Sequence, residues 1–431
     1  MKSNHRALLA YLILCVTAAF CNRACGEVSS KDIEYKIYLY PAEEAQPPKR
    51  ARARRVAPAP PSVKTARPPV VDYSVYTGLG SIYTDTFPIR GLHVTSWTAS
   101  SLVSFNRLVG LVNRTELNAL VLDLKEADGR IAYDSRLDIV KELGTLEPIV
   151  SNIDRLITIM RENRIFPIAR ICVFKDTLLA HKKPEWAVKN KSGNIWQDKK
   201  GQSWLDQYNR EVWDYIVTIA EEAAQRGFRE IQFDYVRFPS DGMISDCVFP
   251  AKAAFGETIP PARVIRKFLE YAKNRLKPYG VAVSADLFGL TCSSLDDLNI
   301  GQVIEEVAKE VNYVCPMAYP SHYYRGMYNL QVPEAEPYKT VFTSMKDARG
   351  KLGDTNPCGI RPWLQDFSLK VKYNAFEVQE QIRAVYENGI SEWLLWNPRC
   401  IYTEEILRPE SERKPVAKKI PEGETLTKQM Q

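Results

Sequence analysis

The feature that most restricts how this chain can fold is a repeated alternation of two hydrophobic periods. Eight apolar runs bounded by turn signals occur at Ile89–Trp97, Ala119–Leu124, Phe166–Phe174, Glu230–Val236, Val281–Leu287, Tyr313–Ala318, Gly359–Leu364 and Glu392–Trp396. Most are nearly continuous in Val, Ile, Leu, Phe and Ala, the pattern of strands buried on both faces of a parallel sheet. Between them apolar residues recur at helical spacing. Phe105, Leu108, Val109 and Val112 form one such stripe, and Ile153, Leu156, Ile157 and Met160 form the next. Further stripes are Trp213, Ile216, Val217 and Ala220, then Ile265, Phe268, Leu269 and Ala272, then Ile304, Val307, Ala308 and Val311. Each marks a helix packed on the sheet by one face. Eight β units alternating with helices predict an α/β fold, a (β/α)₈ TIM barrel with long βα loops. A doubly wound open sheet would carry a Gly-rich phosphate loop after its first strand, and His93–Trp97 offers none.

The ends of the chain read differently. Lys2 and Arg6 precede an apolar run, Ala7 to Phe20, and Ala24-Cys25-Gly26 supplies small residues for cleavage. Residues 1–26 therefore read as a secretory signal peptide, too short in its apolar part to span a bilayer, with an uncleaved anchor or lipid tether as the alternative. Residues 27–72 hold an N-terminal segment and a Pro/Ala/Arg-rich stretch without aromatics between Pro41 and Pro69, expected to be a disordered linker. The barrel domain is expected over 73–408, followed by a charged tail, 409–431. The protein is expected to be exported: periplasmic, cell-surface or secreted. Of the net charge of +6, seven cations lie between positions 45 and 67, which leaves the part after them near neutral and argues against nucleic acid as a partner. The basic stretch can touch anionic membrane lipid or wall polymer, or serve as a solvated spacer. Cys247 and Cys292 follow the fourth and fifth strands, so a disulfide between them is within reach; two free, partly buried thiols are the alternative.

A barrel assigns chemistry to the C-terminal ends of its strands. Those ends are polar here: Asp123-Leu124-Lys125-Glu126, Arg170, Asp234-Tyr235-Val236-Arg237, Asp286, Tyr319, Gln365-Asp366 and Asn397. Asp234 and Asp286 lie in apolar strands, where a carboxylate is costly unless it is paired or used. Two carboxyls on adjacent strand ends suit hydrolysis of a glycosidic bond, with Asp234 as nucleophile and Asp286 as acid/base. A separation near ~5 Å would mean retention of configuration and ~6.5–9.5 Å inversion; retention is expected. Asp123, Lys125 and Arg170 read as neighbours that bind substrate and set ionisation, or as an internal ion-pair network closing the barrel top. Trp204, Arg237, Tyr319, Asp366 and Trp396 complete the expected substrate-binding set. Loop tryptophans stack on sugar rings or simply pin loops to the barrel. His93, His181 and His322 show no metal-binding spacing and no G-x-S-x-G elbow occurs, so neither metal nor cofactor is expected. The expected partner is a polysaccharide or oligosaccharide. A non-catalytic carbohydrate- or wall-binding barrel, or an envelope scaffold, is the competing class.

Several strings carry a resemblance. They are Arg90-Gly91-Leu92-His93-Val94-Thr95, Ala119-Leu120-Val121-Leu122-Asp123-Leu124-Lys125, Pro184-Glu185-Trp186-Ala187-Val188-Lys189, Trp204-Leu205-Asp206, Glu211-Val212-Trp213-Asp214-Tyr215 and the stretch from Gly227 to Pro239 containing Phe233-Asp234-Tyr235-Val236-Arg237-Phe238-Pro239. The chain resembles, from about Ile89 to Asn397, a family of uncharacterised bacterial TIM-barrel proteins described as glycosyl hydrolases. The resemblance implies a barrel, export and a carbohydrate substrate. Related barrel glycosidases place a nucleophilic Asp at the end of the fourth strand, which corresponds to Asp234. Many place a Glu acid on the fifth, where this chain has Asp286; an acid on strand six or seven, Asp366, stays open.

Overall fold

Parallel strands buried on both faces must be covered by helices outside and by side chains within, and the chain closes to satisfy both demands. A computed structural model describes residues 88–255 and 259–412. The expected signal segment, linker and C-terminal tail beyond residue 412 lie outside the described residues. Eight parallel strands form a closed barrel: β1 (Arg90–Val94), β2 (Ala119–Lys125), β3 (Phe166–Cys172), β4 (Glu230–Asp234), β5 (Ala282–Phe288), β6 (Tyr313–Met317), β7 (Trp363–Gln365, preceded by Gly359–Ile360 on the same edge of β6) and β8 (Trp393–Trp396). Strand β1 pairs with both β8 and β2, which seals the ring. Each of the eight expected strands is present.

The outer helices follow the predicted stripes. Leu102–Arg114, Ile153–Glu162, Arg210–Gln225 and Pro261–Leu276 bury the named apolar positions. Their starts are fixed locally: the side chains of Ser101, Asn152 and Asn209 accept backbone N–H groups of the first turn. Pro337–Leu352 and Ala375–Glu387 cover β6 and β7. The fifth stripe gives only one helical turn, Ile304–Val307, although Ala308 and Val311 are buried as expected. The helix starts where the stripe starts and stops early: after Ala308 the Glu310 N–H turns back to the Val307 carbonyl at 3.0 Å, and the chain enters β6 at Tyr313. Ahead of the helix the Gln302 side chain accepts the Phe288 N–H at 3.0 Å and donates to the Asp286 carbonyl at 3.1 Å.

The loop after β2 makes an excursion the apolar pattern does not announce. Ile131–Tyr133 runs antiparallel to β2, and Leu146–Val150 pairs parallel with it. Gly129, at φ +104°, is required there, because a Cβ would stand 1.8 Å from Asp176 Oδ1.

Inside the barrel the side chains lie in layers. An apolar cluster includes Ile89, Val121, Ile168, Cys315, Trp363 and Leu394. Beside it Arg361 donates Nη1 to both oxygens of Glu230 at 2.8 Å and Nε to Glu392 at 2.8 Å, and Ser284 Oγ donates to Glu230 at 2.6 Å. Along β4 the inward residues are thus Glu230, Gln232 and Asp234: a structural carboxylate below, a second carboxylate at the mouth. Cys247 and Cys292 are free thiols, so the bridge between them is not formed.

Candidate active site

The register of the barrel brings four charged strand residues into two adjoining inward rows. Asp123 on β2 is opposite Arg170 on β3, and Cys172, one inward position further along β3, is opposite Asp234 on β4. Arg170 is the hub. Its Nη1 donates to Asp123 Oδ1 at 2.6 Å, its Nε to Asp234 Oδ2 at 3.1 Å, and its Nη2 to the same Asp234 oxygen. Asp286 Oδ2 lies 3.9 Å from Arg170 Nε. Two oxygens that flank one nitrogen at 3.1 and 3.9 Å are at most about 7 Å apart, a bound that includes the retaining range and the lower edge of the inverting one.

The remaining contacts hold this group rigid. Trp363 Nε1 donates to Asp286 Oδ1 at 2.7 Å. His93 Nε2 meets Asp123 Oδ2 at 2.8 Å, and the imidazole stacks on Trp396 with centroids 3.7 Å apart. The Arg170 guanidinium lies 5.0 Å over the same Trp396 ring. Tyr319 packs against Trp396 and Phe367. The Tyr235 N–H donates to Asp234 Oδ1 at 2.6 Å, and Tyr235 has φ +49°. A bulky residue in the left-handed region is strained, and here the strain aims a backbone donor at the carboxylate.

The electrostatics separate the carboxyls. Burial would raise Asp123, but the charges of His93 and Arg170, with their hydrogen bonds, bring it down to about 2. Asp286 is pushed well above the carboxylate range, first by burial and then by the charge of Asp234. Glu126, hydrogen-bonded by Ser96 Oγ at 2.5 Å, is raised to about 7 by burial and then by Asp123. The cluster therefore holds one carboxyl brought down, one pushed well up and a fixed guanidinium.

Other expected site residues lie elsewhere. Lys125 forms a fully buried ion pair with Asp176 at 2.7 Å. A register irregularity between Asp123 and Lys125 sets Lys125 opposite Ile171, away from the side that Asp123 shares with Arg170. Asp366 accepts the Thr403 N–H at 2.8 Å and hydroxyl at 2.7 Å and fastens the C-terminal segment. Trp204 is buried, 4.8 Å from the Arg237 guanidinium. Trp186 and Trp196 are likewise buried, their ring N–H groups donating to Glu211 and to the Met243 carbonyl, as loop-pinning residues do. His93, Trp363, Tyr235 and Glu126 are the members not singled out from the sequence. Their signal is position: His93 and Trp363 face inward near the ends of β1 and β7.

Among the described residues no group of three His, Cys, Asp or Glu side chains could hold a metal ion, and no helix is long and apolar enough to cross a membrane.

Among curated protein sequences none matches the chain. A hypothetical protein from Ruminiclostridium thermocellum is 39% identical over 45% of this chain and 96% of its own, with a TM-score of 0.41. The PgaB (BpsB) glycoside hydrolase domain from Bordetella bronchiseptica is 14% identical, over 74% of this chain and 99% of its own, and at a TM-score of 0.57 shares the fold. Residues 91–402 match the family model described as "Putative glycosyl hydrolase domain". The chain belongs to that family.

Proposed function

We propose that the protein hydrolyses a glycosidic bond in a polysaccharide at or outside the cell surface. Asp234 serves as nucleophile and Asp286 as acid/base. The single observation that carries the reading is that Arg170 touches both groups while their surroundings differ. Asp234 accepts two guanidinium N–H groups and a backbone N–H, which suits a carboxylate that attacks the anomeric carbon. Asp286 is 2% exposed and pushed well above the carboxylate range, which suits a group that must deliver a proton to the leaving oxygen.

The step balances simply. The Asp234 oxygen forms a bond to the anomeric carbon as the glycosidic C–O bond breaks, and the Asp286 proton passes to the departing oxygen. Water, deprotonated by Asp286, then releases the sugar with retained configuration. Arg170 and Asp123 hold the nucleophile in place, and Trp396 and Tyr319 wall the pocket. Trp97, on the short helix after β1, and Tyr324, in the loop after β6, are each about half exposed and offer faces for further sugar rings of a polymer. Export by residues 1–26 and a barrel domain spanning 73–408 belong to the same proposal.

A second reading has its own observation. Asp123, Arg170 and Asp234 form a closed, buried ion-pair network, and such a network stabilises a barrel mouth without any turnover. Incubation of the protein with a polysaccharide panel separates the two. Hydrolysis predicts new reducing ends whose first-formed anomer, seen by proton NMR, matches that of the substrate. Glycan binding without new reducing ends supports the binding barrel.

A further inference from the structure

Beyond the end of β4 stands a second group of charges that the carboxylate cluster does not use. Arg237 is 2% exposed and forms no ion pair with any described residue. Only its Nη1 is engaged, donating to the Phe238 carbonyl at 3.1 Å and the Ser240 hydroxyl at 3.0 Å. Among the described residues no acceptor meets the Nε–H and Nη2–H edge, and that edge is the fork that meets both oxygens of a carboxylate. Aromatic rings surround the guanidinium: Phe288 at 4.5 Å, Trp204 at 4.8 Å and Tyr235 at 5.0 Å from its central carbon to their centroids.

Lys175, in the loop after β3, brings its Nζ to 4.8 Å from the same Tyr235 ring. It too is mostly buried and has neither an ion pair nor a side-chain hydrogen bond with a described residue. Burial lowers Arg237 to about 10, and burial followed by the Arg237 charge lowers Lys175. Asp198 and Asp234 are close enough to act on both cations, but neither forms an ion pair with them. A buried guanidinium and a half-buried ammonium on the same tyrosine ring, with no direct ion-pair partner among the described residues, leave room for the charge of an incoming anion. Tyr235 joins the two regions, since its backbone N–H holds Asp234 and its ring lies against Arg237 and Lys175.

We propose that Arg237 and Lys175 form a subsite for a carboxylate on the sugar bound beside Asp234, so that the substrate is an acidic glycan of the hexuronic-acid class. The inference rests on the reading of the barrel mouth as a glycan site. Sulfate and phosphate share the anionic chemistry, and the planar two-donor edge of Arg237 favours the carboxylate.

The test measures binding, so that it does not depend on turnover. The full chain carrying Asp234→Asn is titrated by calorimetry with oligoglucuronate and oligogalacturonate, with neutral cello-oligosaccharides, and with sulfated and phosphorylated oligosaccharides. The proposal expects at least about tenfold tighter binding of a carboxylated probe than of the neutral ones, as a charge-assisted pair supplies. Added Arg237→Gln should remove about tenfold or more of that affinity, Arg237→Lys should restore part of it, and raised salt should weaken it. Lys175→Gln, at a less buried position, should weaken the same probes and keeps the test valid if the arginine variants fail to fold. Equal binding of neutral and carboxylated probes, no binding of carboxylated ones, preference for sulfate or phosphate, or indifference to Lys175→Gln would each overturn the subsite. Cleavage of a neutral glycan by the unmodified protein, insensitive to these charges, would remove the subsite and leave hydrolysis standing. Charge-dependent binding of an acidic glycan that is never cleaved would do the reverse.

Discussion

Arg170 faces three carboxyls with one guanidinium, and that imbalance sets the chemistry of the mouth. Asp123, which also has His93, takes the low ionisation; Asp286, buried, furthest from Arg170 and beside the charge of Asp234, is pushed well above the carboxylate range. The Trp363 N–H bond to Asp286 works against the upward shift, since it stabilises the ionised form. Trp363→Phe should therefore raise the Asp286 pKa further and move the basic limb of the kcat/KM–pH profile to higher pH, because the acid must be protonated to act. A basic limb that stays put or moves down would separate Asp286 from that role. Asp123, Arg170, Asp234 and Asp286 were legible in the sequence because a charge inside an apolar strand stands out. His93 and Trp363 were not, since an aromatic residue facing inward looks like core. Lys125 misled for a different reason: strict alternation puts it on the side of Asp123, and the register irregularity between the two removes it to Asp176.

At the scale of the element, β4 shows how one strand serves fold and chemistry at once. Its Glu230 meets Arg361 in a fully buried pair two layers below Asp234. Breaking such a pair leaves a charge without compensation, so Arg361→Met should destabilise the protein by about 3–5 kcal/mol in denaturant unfolding. Adding Glu230→Gln should recover a large part of that loss. A single variant as stable as the parent would mean that the pair is not what holds this layer. The strands themselves were readable because continuous apolar runs flanked by turn residues leave few alternatives. The Ile131–Tyr133 and Leu146–Val150 excursion was not readable, because segments of three and five residues are too short to show a period, and the fifth helix was read too long because the chain turns back at Glu310 where the apolar spacing continues to Val311.

For the whole molecule, the Pro/Ala/Arg-rich segment lies outside the described residues, and the proposal treats it as a spacer. A chain beginning near Val71 should then fold with the same melting temperature and retain full activity; loss of the fold on truncation would show that the segment packs on the barrel. Among the described residues the exposed large apolar side chains Met243, Leu295, Tyr324 and Leu369 stand in the segments that follow β4, β5, β6 and β7, and Trp97 on the short helix after β1, while Val103 and Phe376 lie on outer helices.

The most direct measurement is the rate of Asp234→Asn on whichever polysaccharide the unmodified protein cleaves. Asparagine keeps the shape and an oxygen for the Tyr235 N–H while removing the nucleophilic charge. The account predicts a fall of about a thousandfold or more in kcat, with glycan binding retained. A rate within a few-fold of the parent would contradict it and take the chemistry away from the end of β4.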